Sequence, residues 1–199
     1  GNTRRNPRRT AATAGALTIG VALMSAISVL AASTQASVAG IVDDVIGADF
    51  VVTGYGFQPF TGDVATAVRS TPGVAQAAVV KQVPARAPGS GDTLITGVDP
   101  QDIQKALSLT ATEGSLDDLT EGKVALDTET ADDIGAGVGT VVQVLSVVGP
   151  VDLEVAMIYE AAGGFTGYVV GLPTARELGA SDQDNVVYVV KEPLASEQT

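Results

Sequence analysis

The sequence predicts an α+β fold in which an N-terminal transmembrane and stalk helix leads into a mixed α+β extracytoplasmic domain. Three observations carry that expectation. An uncharged run fills positions 11–33, directly after four arginines. Apolar residues then keep a helical spacing as far as Ile46. From Asp49 onward, short β-branched runs alternate with short helical patterns, and strands outnumber helices, as in an α+β body rather than a doubly wound sheet.

Composition limits the chemistry. A chain of 199 residues allows one ordinary domain plus an appendage, and without an initiator Met it reads as a piece of a longer protein. Residues 1–35 hold four Arg and no acid, whereas residues 36–199 hold 23 acids against seven bases. A short basic arm before an acidic body is the asymmetry of a membrane-crossing chain. The acidic body repels phosphate, so no nucleic-acid partner is expected. The chain has no Cys and no His, which excludes disulfides, thiolate or imidazole zinc sites and His-based proton transfer. No cofactor or metal is expected. With no Trp and only 4% aromatics, the core must rest on Val, Ala, Leu and Ile.

Residues 1–10 form a basic flank, and Arg4, Arg5, Arg8 and Arg9 keep that end cytoplasmic. Positions 11–33 provide 23 uncharged residues, enough to cross a hydrocarbon core of about 30 Å at ~1.5 Å per residue. Gly15 and Gly20 would each cost a soluble helix about 1 kcal/mol relative to Ala. In a membrane, Ala12, Ala16 and Gly20 share one face and form a smooth stripe for a neighbouring helix, although an Ala-rich segment also produces such stripes by chance. The competing reading is a removable signal, with "RRNPRR" as a twin-arginine region and "QASVA" (35–39) as a cleavage site. Against it, the apolar run exceeds a typical core of roughly 7–15 residues. In addition, Val38, Ile41, Val42, Val45 and Ile46 continue a helical stripe that excludes Asp43 and Asp44. The segment 34–46 is therefore expected to be a stalk helix closing at Gly47, with the domain over 47–199.

Within the body, "DFVVTG" (49–54) reads as a strand and "GDVATAVRSTPG" (62–73) as a helix closed by Pro72-Gly73. "VAQAAVVKQVPARA" (74–87) is a long strand with Pro84 at an edge or bulge position. "PGSGD" turns the chain into "TLITGVD" (93–99), and "PQDIQKAL" (100–107) is a helix capped by Asp99. A strand over 121–127, a helix over 128–136 and a hairpin over 140–148 and 151–160, turned at Gly149-Pro150, follow. A strand over 166–172, a helix over 173–180 and a strand over 185–192 complete the body, whose two halves can be read as related α/β subdomains.

Several short patterns mimic functional sites. "GAGVG" (135–139) precedes a strand instead of opening a helix, and no Lys-Ser/Thr follows, so it reads as a tight turn. "DQDN" (182–185) begins like a calcium loop, but Val187 and Pro193 stand where the loop's Gly and bidentate Glu belong, so it reads as a solvated loop. The pairs Asp43-Asp44, Asp117-Asp118 and Asp132-Asp133 diverge from their backbones and read as surface. "GYGFQPF" (54–60) gathers three of the eight aromatics and is either a packed loop or a contact surface for a substrate or partner subunit. There is no Gly-x-Ser-x-Gly elbow and no His for a hydrolase triad, so no enzyme is expected.

"RNPRRTAAT" (5–13) running into "GALTIGVALMS" (15–25), then "STPGV" (70–74), "GVDP" (97–100) and "EGKVALDTETADDIGAGVGTVVQV" (121–144), resemble the FtsX-like permeases of ABC exporters, the group that includes the MacB type. The resemblance implies a membrane helix and an extracytoplasmic domain that couple a separate cytoplasmic ABC ATPase to movement outside, without hydrolysing ATP. It implies contacts with other permease helices or a second permease copy, through a parent protein longer than this chain. The alternative is an exported binding or adhesion protein carrying a twin-arginine signal.

Overall fold

The computed structural model describes residues 15, 17–25, 27–28, 47–107, 109–161 and 165–192. The chain divides into two units, Gly1–Val42 and Asp43–Thr199. In the first, the described residues are helical, and Leu17, Ile19, Val21, Leu23, Met24 and Ile27 are all exposed. At 3.6 residues per turn these positions spread over roughly 200° of the helix surface and leave the face of Gly15, Thr18, Ala22 and Ser25 to small residues. Among the described residues no helix is long and apolar enough to cross a membrane. Much of the expected 11–33 span and the stalk over 34–46 lie outside the described residues, as do Arg4, Arg5, Arg8, Arg9, Ala12, Ala16, Val38, Ile41, Val42 and Val45.

The second unit is a mixed α+β body. Its first part contains β1 (Phe50–Thr53), β2 (Phe60–Thr61), α1 (Asp63–Arg69), β3 (Val74–Ala87), β4 (Gly91–Val98), α2 (Pro100–Ala106) and β5 (Ala111–Gly114). Its second part contains β6 (Lys123–Asp127), α3 (Thr128–Ile134), β7 (Val141–Ser146), β8 (Gly149–Tyr159), β9 (Tyr168–Gly171), α4 (Leu172–Glu177), β10 (Gln183–Asp184) and β11 (Val186–Lys191). Local chemistry sets the helix starts. The Asp99 carboxylate accepts from the Gln101 and Asp102 amides, and Asp127 accepts from the Thr130 amide. Gly135, at φ 63°, ends α3 in the left-handed conformation that glycine adopts without penalty.

Nine strands form one sheet, in the order β1-β11-β3-β4-β9-β6-β8-β5, with β7 bridging β8 and β3. The bridge closes a ring. β3 pairs β4, β4 pairs β9, β9 pairs β6, β6 pairs β8, β8 pairs β7, and β7 returns to β3 through Ala85↔Ser146 and Arg86↔Leu145. All six strands send apolar side chains into the ring: Val83, Ile95, Tyr168, Val124, Val155 and Val144 share one buried cluster. Beyond the ring the sheet opens. There α2 covers one face with Ile103 and Ala106 against Val80, Val98 and Tyr188, and α1 covers the other with Ala65 against Ala77, Val79 and Val187.

β3 serves both regions, and its Pro84 sits at their seam. The Val80 carbonyl and the Gln82 amide face away from β4, so period 2 turns the missing Pro84 donor to that same side. There β11 has already left β3 at Val80, and β7 does not join until Ala85. The expected edge position is thus a gap between two partners.

Three features differ from the sequence reading. The β7–β8 hairpin turns at Val147-Val148, and Pro150 lies within β8 opposite Leu145. Ser146 makes this turn, accepting from the Val148 amide and donating to the Gly149 carbonyl. The short strands β2, β5 and β10 are additional, and none carries an alternating pattern that would announce it. Strand pairing also ignores a division into sequential halves, because β4 pairs β9 and β3 pairs both β7 and β11.

Candidate functional site

The chain enters and leaves the body through neighbouring strands. β1 pairs antiparallel with β11, Phe50 opposite Val189 and Thr53 opposite Val186. Asp49 closes this pair: its amide donates to the Val189 carbonyl at 2.8 Å, while its Oδ2 accepts from the Lys191 amide at 2.8 Å. The Lys191 ammonium lies 2.9 Å from the other carboxylate oxygen, Oδ1. The backbone hydrogen bond from Lys191, followed by the contact with its side chain, holds the Asp49 carboxyl below the usual carboxylate range. One residue further on, the Glu192 amide donates to the Gly73 carbonyl, fastening the outgoing chain beside the start of β3.

The aromatics of the loop after β1 lie in different surroundings. Phe60 packs against the cluster beneath α1. Tyr55 is 100% exposed. The side chain of Phe57 lies outside the described residues. Gly54 is needed for the loop's tightness, because a Cβ there would collide with the Gln58 carbonyl oxygen. Of the proposed helix-packing stripe, only Gly20 is described, and a Cβ added to it would meet nothing within 4 Å.

The mimic motifs resolve into structure. "GAGVG" is a turn, in which the Gly137 amide donates to Thr140 Oγ1 and the Gly139 amide to the Val155 carbonyl. Asp117, Asp118, Asp132 and Asp133 are exposed. Among the described residues, no group of acidic side chains is arranged to hold a metal ion. Two surface hollows of about 610 and 650 Å³ flank Arg86 and Leu145 on the outer wall of the ring, with Leu94 and Val147 half-open to solvent beside them.

"DQDN" needs correction, since Asp184 is not solvated. It is 3% exposed and pairs at 2.9 Å with Lys81, itself 9% exposed. The signal was present in the sequence: a single Lys within the apolar run of β3 needs an anionic partner once that strand is buried.

The MacB-like periplasmic core domain family matches residues 10–199, and the chain belongs to that family, an extracytoplasmic domain of ABC transporter permeases of the MacB type. No curated protein sequence matches it. Among solved structures, it is similar to the periplasmic region of MacB from Actinobacillus actinomycetemcomitans, with a TM-score of 0.54 and 12% identity over 79% of this chain and 82% of that one. It is likewise similar to the extracellular domain of the noncanonic ABC-type transporter YknZ from Gram-positive bacteria, with a TM-score of 0.52 and 18% identity over 68% of this chain and 75% of that one. At these identities the likeness concerns the fold.

Proposed function

We propose that this chain belongs to the permease subunit of an ABC export system and that it is non-catalytic. In this reading residues 11–33 hold it in the membrane, residues 1–10 stay in the cytoplasm, and a cytoplasmic ATPase acting on the parent protein moves the outer body. Other permease helices or a second permease copy would pack against Ala12, Ala16 and Gly20. The exposed apolar side chains at positions 17–27 support a lipid surrounding, since water would penalise them by about 25 cal/mol per Å².

The observation that favours motion transfer most is the β1–β11 pair. β1 follows the expected stalk after residues 47–49. A displacement of the stalk would reach the body first at β1 and its ladder with β11, and the Asp49–Lys191 clamp would hold the ladder's end closed. β11 would hand the load to β3, which runs through both the open sheet and the ring.

The test uses the full-length parent protein with its ATPase. Val42→Pro would interrupt the stalk's hydrogen-bond ladder at a local cost of about 3 kcal/mol or more. Export should then fall sharply while ATP hydrolysis persists, and Asp43→Ala should do little. Normal export by the Pro variant at equal membrane abundance would defeat the transmission reading. A mature N-terminus near Ala39 or Gly40 would defeat the anchor and favour an exported binding or adhesion protein.

A further inference from the structure

Lys81 occupies an unusual place on β3. Odd-numbered side chains of this strand share one face: Ala77 and Val79 enter the cluster beneath α1, and Val83, Ala85 and Ala87 enter the ring. Lys81 stands between these two apolar clusters, on the face common to both. Its ammonium donates to the Ser181 carbonyl at 3.1 Å and the Gln183 carbonyl at 2.9 Å, and it meets Asp184 Oδ1 at 2.9 Å. Its three donors are thereby all engaged. All three acceptors belong to one short segment, 179–185, that carries the chain from α4 to β11.

That segment is attached at three further places. Gly179, at φ +93°, lies against Val147 and Val148 of the β7–β8 turn, on the ring. Gln183 and Asp184 pair with Thr61 and Phe60 of β2, in the layer beneath the open sheet. Just beyond them the Asn185 amide donates to the Val80 carbonyl, and Asn185 Oδ1 accepts from the Gln82 amide at 2.9 Å.

We propose that residues 179–185 form a strap, buckled by Lys81, that fixes the angle between the ring and the open sheet. An apolar residue at position 81 would merge the two clusters, and a buried ion pair is a poor source of stability because desolvation offsets its attraction. What the ammonium supplies is geometry. Apolar contacts tolerate sliding, whereas three acceptors on one segment around one cation define a single placement. Apart from the strap, ring and open sheet are joined by shared strands and by the apolar cluster beneath α2, where Ala125, Met157 and Val169 of the ring strands pack with Val80, Val98 and Ile103; β3 itself can twist where Pro84 leaves it without a neighbour on one side. This inference concerns the body itself and stands whether or not the chain transmits motion.

The chain has no Cys, so two labels can be placed without background. Asp63→Cys on α1 and Gln143→Cys on β7 provide exposed positions on the two regions. Pulsed electron paramagnetic resonance on the full chain in detergent should give one narrow distance distribution. Lys81→Met should broaden it about twofold or more, and the Gln82 and Asn185 amides should exchange roughly tenfold faster while Val124 and Val170 keep their protection. If Lys81→Met does not fold, Asp184→Asn and the double variant Lys81→Met/Asp184→Leu carry the test. The double variant should recover the melting temperature yet retain the broad distribution. A distribution as narrow as that of the parent in any folded variant lacking the ion pair would overturn the proposal. So would a uniform acceleration of exchange at every amide, which marks global destabilisation alone.

Discussion

From inside the ring, the Tyr168 hydroxyl donates a 2.7 Å hydrogen bond to the Pro88 carbonyl in the β3–β4 turn. The bond ties β9 to the tip of a hairpin 80 residues earlier in the chain. Tyr168→Phe should therefore cost about 1 kcal/mol, the usual net worth of such a bond. Tyr168→Ala should cost roughly 3–5 kcal/mol, because it also empties part of the ring. Denaturant midpoints at unchanged slope would measure both, and equal losses would show that the hydroxyl is the whole contribution.

Alkaline pH should unfold the body through its buried tyrosines. Burial, with the Asp127 charge second, raises Tyr168 to about 12 and raises Tyr159 further, and burial raises Tyr188. Each folded value lies above the unfolded one of about 10. The unfolded chain thus loses these protons first, so stability is complete below pH ~10 and falls as pH rises toward 12. Phenolate absorbance from these three tyrosines should appear together with the loss of secondary structure. Their ionisation in a still-folded chain would contradict the burial.

Gly114, at φ +72°, faces Ala156, the extra residue of β8 opposite β6, and a Cβ there would collide with the Ala156 carbonyl oxygen. Gly122 has a similar φ of +75° but open space around it. Gly114→Ala should cost about 1–3 kcal/mol of backbone strain plus the clash, and Gly122→Ala only the strain. Melting temperatures should separate the two. Equal shifts would mean that the β5–β8 approach is looser than described.

The Asp49–Lys191 clamp should act locally. Asp49→Ala should speed exchange at the Lys191 amide and along β1 without altering the ring, and global stability should hardly move, since the pair is partly exposed. The Asp49 carboxyl is depressed in the folded chain, so the clamp is complete above the ordinary carboxylate value and is lost as pH falls through the depressed one. Exchange at the Lys191 amide, corrected for its intrinsic pH dependence, should rise only in that acid range. A rise beginning near neutrality would refute the assignment.

The sequence by itself determined what neighbouring residues control. β3 spans the residues its pattern indicated, 74–87, and Asp99 caps α2 as its spacing required. The exclusion of Cys and His chemistry and the family resemblance were also legible, because composition and ordered motifs need no folded structure. Tertiary structure decided the rest. Ring closure depends on Ala85 meeting Ser146, and Lys81 finds its acceptors 100 and 102 residues away. Asp184 looked solvated because its own neighbours are polar, and only the crossing of the strap over β3 buries it. Caps and periodicities act within a turn or a few residues, whereas strand closure and charge burial depend on which distant segments become neighbours when the apolar faces collapse.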